Sequence, residues 1–210
     1  MELEKYCDEV VILDFETTGL SADEDRIIEV GAVIVKGKKV IGKFSELMYP
    51  ECHLPYFITD LTGISSAMLR DKPIPQKIMP KLKKFIGNRV ILAHNASFDS
   101  KFLYAEMARA NLDIENEILC TMLLSRRLIP DVYDYKLGTL AEYLDVKIGR
   151  AHRAIDDALA TAKLWNHLHG IVSNSLGIKK VESNILKSIT KKPKKAVPVY
   201  LEKIKKAYLQ

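Results

Sequence analysis

A chain of 210 residues, 48% hydrophobic and 8% aromatic, has room for one sizeable core and an appendage. No apolar run reaches ~18 residues, which excludes a spanning helix, and three scattered cysteines (Cys7, Cys52, Cys120) exclude a zinc pattern and a disulfide framework. The net charge of +5 is unevenly spread: residues 171–210 hold ten lysines against Glu182 and Glu202, a balance of +8 that leaves −3 on residues 1–170.

The acidic start, MELEKYCDEV, lacks the character of a signal peptide, and the unpaired cysteines suit a reducing cytoplasm; no membrane partner is expected. Val10 to Leu13 is a short apolar run that reads as a buried strand ending at Asp14, with Thr17-Thr18-Gly19 as a turn. Arg26 to Val35 is rich in β-branched residues, and Lys36-Gly37-Lys38 turns it into a third strand over Val40–Leu47. Pro50 to Pro75 reads as mostly irregular, with one short helix near Ser65–Arg70. Ile78, Leu82, Phe85 and Ile86 have helical spacing, and Val90–Ala93 is another short strand. A helix follows on Phe98, Phe102, Leu103 and Met107, then a strand over Glu117–Cys120. Thr121–Leu128, Leu137–Leu144 and Ala154–Leu168 read as helices. Beyond Gly170 the periodicity fades, although Ile178, Val181, Ile185, Leu186 and Ile189 keep some helical spacing. The reading is a body over 1–172 and a basic, lysine-rich tail over 173–210, partly disordered or helical. Strands first, then strands alternating with helices, argue an α/β mixed sheet flanked by helices. Sites in such sheets gather at the carboxyl ends of strands.

Three segments carry acids beside apolar runs. In DFETTG, Asp14 and Glu16 share a strand face, and two adjacent carboxylates repel unless a cation bridges them. In HNASFD, Asn95 or Ser97 serves as helix N-cap and Asp99 lies in the first turn, where the helix dipole favours an anion. His94 ends a strand and reads either as a packed core histidine or as a substrate contact. In HRAIDDA, His152 precedes a helix bearing Asp156 and Asp157; neighbouring helical residues diverge, so one of the two acids can join a cluster, and spacing leaves open which. A histidine near pKa ~6.5 suits deprotonation of a water. His53, His167 and His169 read as surface or incidental residues. Four gathered carboxylates would demand cations, and hard oxygen ligands favour Mg²⁺ or Mn²⁺ in a two-metal site for phosphodiester cleavage.

The order DFETTG, HNASFD, HRAIDDALATAKL resembles the DEDDh family of 3′–5′ exonucleases, over about residues 8–170. Within it, the chain is similar to the proofreading exonucleases of bacterial DNA polymerase III. The resemblance implies an RNase H-like fold with a five-stranded mixed sheet, and Asp14, Glu16, Asp99 and Asp157 as ligands of two Mg²⁺ or Mn²⁺ ions. Its H-x-x-x-x-D spacing selects Asp157 over Asp156 and makes His152 the general base; Arg153 stands where the sister branch has a tyrosine. It further implies that Thr17, Thr18, Gly19 and Leu20 hold the terminal nucleotide, with Leu20 as a wedge, and that Asn95 and Phe98 shape the site. Thr62 falls where the family often has histidine. The expected partner is a single-stranded or frayed 3′ end of DNA, with RNA as the alternative substrate and a silent binding module as the remote rival. The tail would either dock on a replicative polymerase subunit or tether the enzyme to DNA.

Overall fold

A computed structural model describes residues 6–208. The strands β1 (Glu9–Thr17), β2 (Ile27–Lys36), β3 (Lys39–Leu47), β4 (Val90–Ala93) and β5 (Ile118–Cys120) form one sheet in the order β3-β2-β1-β4-β5. β1 and β2 pair antiparallel, as do β2 and β3, whereas β4 and β5 run parallel to β1. The sheet is therefore mixed, five-stranded and covered by helices on both faces, the RNase H-like fold.

β1 is central, and its alternation divides the interior. Val10 and Ile12 face a core with Trp165, Leu168 and Val172 of the helix α7 (Ala154–Leu176). Val11, Leu13 and Phe15 face the opposite core, with Ile78, Leu82 and Ile86 of α3 (Pro75–Ile86) and Phe102, Leu103 and Met107 of α4 (Ala96–Arg109). By the same period of two, Asp14 and Glu16 belong to the α7 face. Pairing with β4 ends at Ile12–Leu92, so β1 carries both acids past the end of its parallel neighbour.

The stretch expected to be irregular contains α1 (Tyr56–Thr62) besides α2 (Ser66–Leu69). Pro55 is the N-cap of α1 and Gly63 closes it at φ 69°. The proline marks a helix start, where its missing N–H leaves no helical bond unmade. Ser65 caps α2 through its side chain. Asn95 is the N-cap of α4, but in the left-handed region and with no side-chain capping bond.

α5 (Thr121–Leu128) and α6 (Leu137–Tyr143) lie on the α7 side. α7 runs unbroken through the expected boundary region to Leu176. After it come α8 (Ser183–Lys191), a 3-10 turn (Lys194–Ala196) and α9 (Val197–Tyr208). Ile185, Leu186, Ile189, Val197 and Leu201 are buried in the core that holds Val10 and Ile12. The Cys7 amide donates to the Val181 carbonyl at 2.9 Å, and Tyr6 bridges to Glu182. The lysines thus decorate helices whose apolar faces are packed against the body. Among the histidines set aside in the sequence, His53 and His167 are exposed, whereas His169 is half-buried with its ring 5.3 Å from that of Trp165. Of the cysteines, Cys7 is buried and Cys52 exposed. No helix among the described residues is long and apolar enough to cross a membrane.

Candidate active site

The site lies where β1 outruns β4. Asp99, in the first turn of α4, is buried and accepts hydrogen bonds from its own amide and from that of Phe15, which ties α4 to β1. Asp157 lies in the first turn of α7, and its Oδ2 accepts the His152 amide at 3.1 Å. The neighbouring Asp156 instead accepts the Arg150 amide at 3.1 Å. The two acids that spacing left tied are thus separated, Asp157 toward the β1 acids and Asp156 toward the preceding loop.

Glu16, His152 and Asp157 each bring one donor atom within 4.8 Å of the others, a group able to hold a metal ion. Asp14 completes the cluster from the same face of β1. Burial, then the charges of Asp99, Asp157, Glu16 and Glu29, push its carboxyl well above the ordinary range. Burial also raises Glu16 to about 8, with Asp157, Glu29 and Asp99 adding to the shift and Arg153 opposing it. Asp99 rises to about 7 and Asp157 rises as well, both chiefly through desolvation. Carboxylates held this close in a poorly solvated cleft call for positive charge. The oxygen-rich donor set suits hard divalent cations.

Glu29 escaped the sequence reading. It is buried, stands opposite Glu16 across the β1–β2 ladder, and accepts from Arg153 Nε at 3.1 Å, Arg153 Nη2 at 2.6 Å and the Ala154 amide at 3.0 Å. It therefore anchors the start of α7 to β2, one turn before Asp157. Gly31 permits the approach: a Cβ there would lie 2.1 Å from the Ala154 carbonyl carbon. The lone acid inside RIIEVGAVIV was the available signal for Glu29.

The loop after β1 is pinned from two sides. Thr18 Oγ1 donates to Asp25 at 3.0 Å, and Asp25 also accepts the Ser21 amide at 2.9 Å. Gly19 lies against this carboxylate, where a Cβ would come within 2.4 Å of it. Arg109 Nη2 donates to the carbonyls of Ala22 at 2.7 Å and Asp23 at 2.8 Å, while the buried Glu106 pairs with Arg109 at 3.0 Å and Arg26 at 3.6 Å. So held, the loop presents Leu20 at 86% exposure.

Leu20, Phe57, Leu61 and Phe98 flank a cavity of about 490 Å³ whose floor includes Glu16, Thr17 and Gly19. Phe57 and Leu61 come from α1 and were missed with it. Thr62 does not line this cavity; it is buried, its hydroxyl donating to the Ile58 carbonyl and accepting from the Ile64 amide. Thr17 donates to the Gly19 carbonyl at 2.6 Å. His94 is half-buried, with Nδ1 3.0 Å from Thr121 Oγ1 and Nε2 donating to the Tyr135 carbonyl at 2.9 Å. Asn95 is exposed and accepts from Ser97 Oγ at 3.3 Å.

A family model described as Exonuclease (RNase_T) matches residues 11–165. The chain belongs to this exonuclease family. It is a nuclease, hence a hydrolase. Its similarity to a DNA polymerase III of PolC type from Caldanaerobacter subterraneus subsp. tengcongensis is 41% identity over 193 residues, 91% of this chain and 14% of the relative. The DNA polymerase III subunit epsilon of Aquifex aeolicus is 34% identical over 157 residues, 74% of this chain and 77% of that one. The chain thus spans about one seventh of the PolC-type relative. Among solved structures, exonuclease X in complex with 5′-overhanging duplex DNA superposes with a TM-score of 0.67 at 28% identity, over 86% of this chain and 99% of that one. E. coli exonuclease I with a dT13 oligonucleotide shares the fold, with a TM-score of 0.70 at 17% identity over 80% and 42% of the two chains.

Proposed function

We propose that this exonuclease removes nucleotides from the 3′ end of DNA in the cytoplasm, releasing nucleoside 5′-monophosphates in a proofreading or repair role. The observation that carries the reading is the meeting of Asp14, Glu16, Asp99 and Asp157 where β1 outruns β4, with His152 beside Glu16 and Asp157. Asp14, Glu16 and Asp157 would hold one Mg²⁺ or Mn²⁺ ion, and Asp14 with Asp99 a second. Bound there, two such ions lower the pKa of a water and stabilise charge on the attacking and leaving oxygens. His152 is exposed at the mouth of the site and takes the proton of the attacking water. Leu20, Phe57, Leu61 and Phe98 receive the terminal base, and the pinned Thr17–Gly19 segment positions its sugar through backbone groups. The relatives' printed names, DNA polymerase III of PolC type and its subunit epsilon, support DNA as substrate and a replicative setting.

The test uses an oligonucleotide labelled at its 5′ end, with Mg²⁺ or Mn²⁺, beside a matched RNA. Stepwise shortening from the 3′ end with release of 5′-monophosphates is expected, faster on DNA. Loss of the 5′ label as a mononucleotide would overturn the polarity, and faster trimming of RNA would overturn the substrate.

A further inference from the structure

The site gathers five acids, counting Glu29, and so repels the polyanion it is proposed to cut. A compensating surface stands beside it. Residues 126–136 and 187–195 hold eight lysines and arginines against two acids, Asp131 and Asp134. These segments are far apart in sequence and joined in space: Arg127 Nε donates to the Lys192 carbonyl at 2.5 Å, and Lys194 Nζ meets Asp131 Oδ1 at 2.8 Å. Asp134 is paired as well, with Lys136 at 3.5 Å. Arg126, Lys191 and Lys195 remain exposed.

The surface is tied to the site through one residue. Tyr135 lies beneath the Arg126 guanidinium, 6.0 Å from ring centre to carbon, and its carbonyl accepts His94 Nε2. His94 in turn follows β4 and precedes the helix carrying Asp99. On the same loop Tyr133 is 99% exposed. Cations spaced along a surface with a free aromatic ring match the needs of a single nucleic-acid strand: phosphates for the charges, a base face for the ring.

We propose that Arg126, Lys136, Lys191 and Lys195, together with Tyr133, form a track for the single strand upstream of the 3′ end being hydrolysed. The proposal rests on the exonuclease reading above. It gives the C-terminal helices a role in holding substrate, since α8 and the turn after it supply half of the cations.

The experiment compares the full chain with Arg126→Gln/Lys191→Gln/Lys195→Gln and with Tyr133→Ala. Binding of a fluorescent oligothymidylate of about 20 nucleotides is followed by anisotropy in Ca²⁺ across salt concentrations. Hydrolysis of the dinucleotide dTpdT in Mn²⁺ is measured in parallel. The triple variant should weaken oligonucleotide binding about tenfold or more at low salt. It should also reduce the slope of log K against log salt by about 2, three lost phosphate contacts at ~0.7 each. Tyr133→Ala should weaken binding roughly 5- to 150-fold, the range of a lost base stack. Dinucleotide hydrolysis should stay at the wild-type rate in both. Unchanged oligonucleotide affinity and salt slope in the triple variant would overturn the track. A wild-type chain that fails to cleave dTpdT yet binds oligonucleotide with the expected variant losses would overturn the exonuclease reading and leave the track standing.

Discussion

Arg153→Met isolates the link between β2 and α7. The guanidinium supplies the hydrogen bonds to Glu29 other than that of the Ala154 amide, and Glu29 is 1% exposed while Arg153 retains 22%. Removing one partner of a buried ion pair costs about 3–5 kcal/mol, because the remaining charge stays buried. The partial exposure of Arg153 places this pair at the low end, about 3 kcal/mol. For a chain of this size that is a fall in Tm of roughly 6–12 °C. Thermal unfolding followed by circular dichroism reads it directly. The double variant Glu29→Gln/Arg153→Met should recover more than half of the loss, since no unpaired carboxylate remains. Arg153→Lys should recover less than the forked pairing provides. Because Ala154 starts the helix that bears Asp157, kcat should fall in Arg153→Met even well below its Tm. A drop under about 2 °C, or a double variant less stable than Arg153→Met, would show that Glu29 does not depend on the arginine.

Asp14→Ala and Asp157→Ala should each lower turnover at least ~10³-fold with folding intact, and His152→Ala should lower it about 10²–10⁴-fold; single-turnover cleavage checks all three, and near-normal rates would remove these residues from the chemistry. The metal-free protein should lose stability as pH rises. Glu16 at about 8 and Asp99 at about 7 bind protons in the folded state that the unfolded chain, near pKa ~4, has released. That contribution is full below about pH 4 and disappears by about pH 8. Glu16→Gln should therefore gain Tm over wild type progressively across this window, and Mg²⁺ or Mn²⁺ should erase the difference at the alkaline end; a constant difference refutes the account. Gly31→Ala places a methyl against the Ala154 backbone, so it should cost about 1–3 kcal/mol in denaturant titration. It should also depress kcat, whereas unchanged values would mean that the start of α7 moves freely.

Much of the fold was legible because apolar periodicity was unambiguous. Val90–Ala93 and Thr121–Leu128 coincide with β4 and α5, and the first three strands differ from expectation mainly at their ends. What escaped shows where periodicity fails. α1 exposes Tyr56, Phe57 and Leu61 and buries Ile58 and Thr62, so it carries no apolar stripe of the usual kind. Of these, the exposed Phe57 and Leu61 line the cavity beside Glu16, which makes them poor helix signals and informative site signals. The C-terminal helices were blurred by lysines on their outer faces, although Ile185, Leu186 and Ile189 preserved the inner one. Cutting the chain near 175 would strip these residues from the core, so it could not serve as a clean test of the lysines. At the site, helix spacing alone left Asp156 and Asp157 tied and the resemblance chose Asp157; the loop built by Arg150 and His152 holds the two carboxylates apart. The Glu29–Arg153 pair, 124 residues apart, lay beyond any local pattern.

The stitch between Cys7 and Val181 has a consequence for the order of events in time. β1 carries Asp14 and Glu16, yet Cys7, just ahead of it, is fastened by a residue 174 positions later, and the core behind the strand closes only with Val197 and Leu201. Closing so long a loop comes late in folding, since its entropy must be overcome before the contacts form. A growing chain on the ribosome therefore has every acid of the site well before it has the wall that holds β1 in register. Docking of α8 and α9 is thus the step that fastens the approach to the strand carrying Asp14 and Glu16.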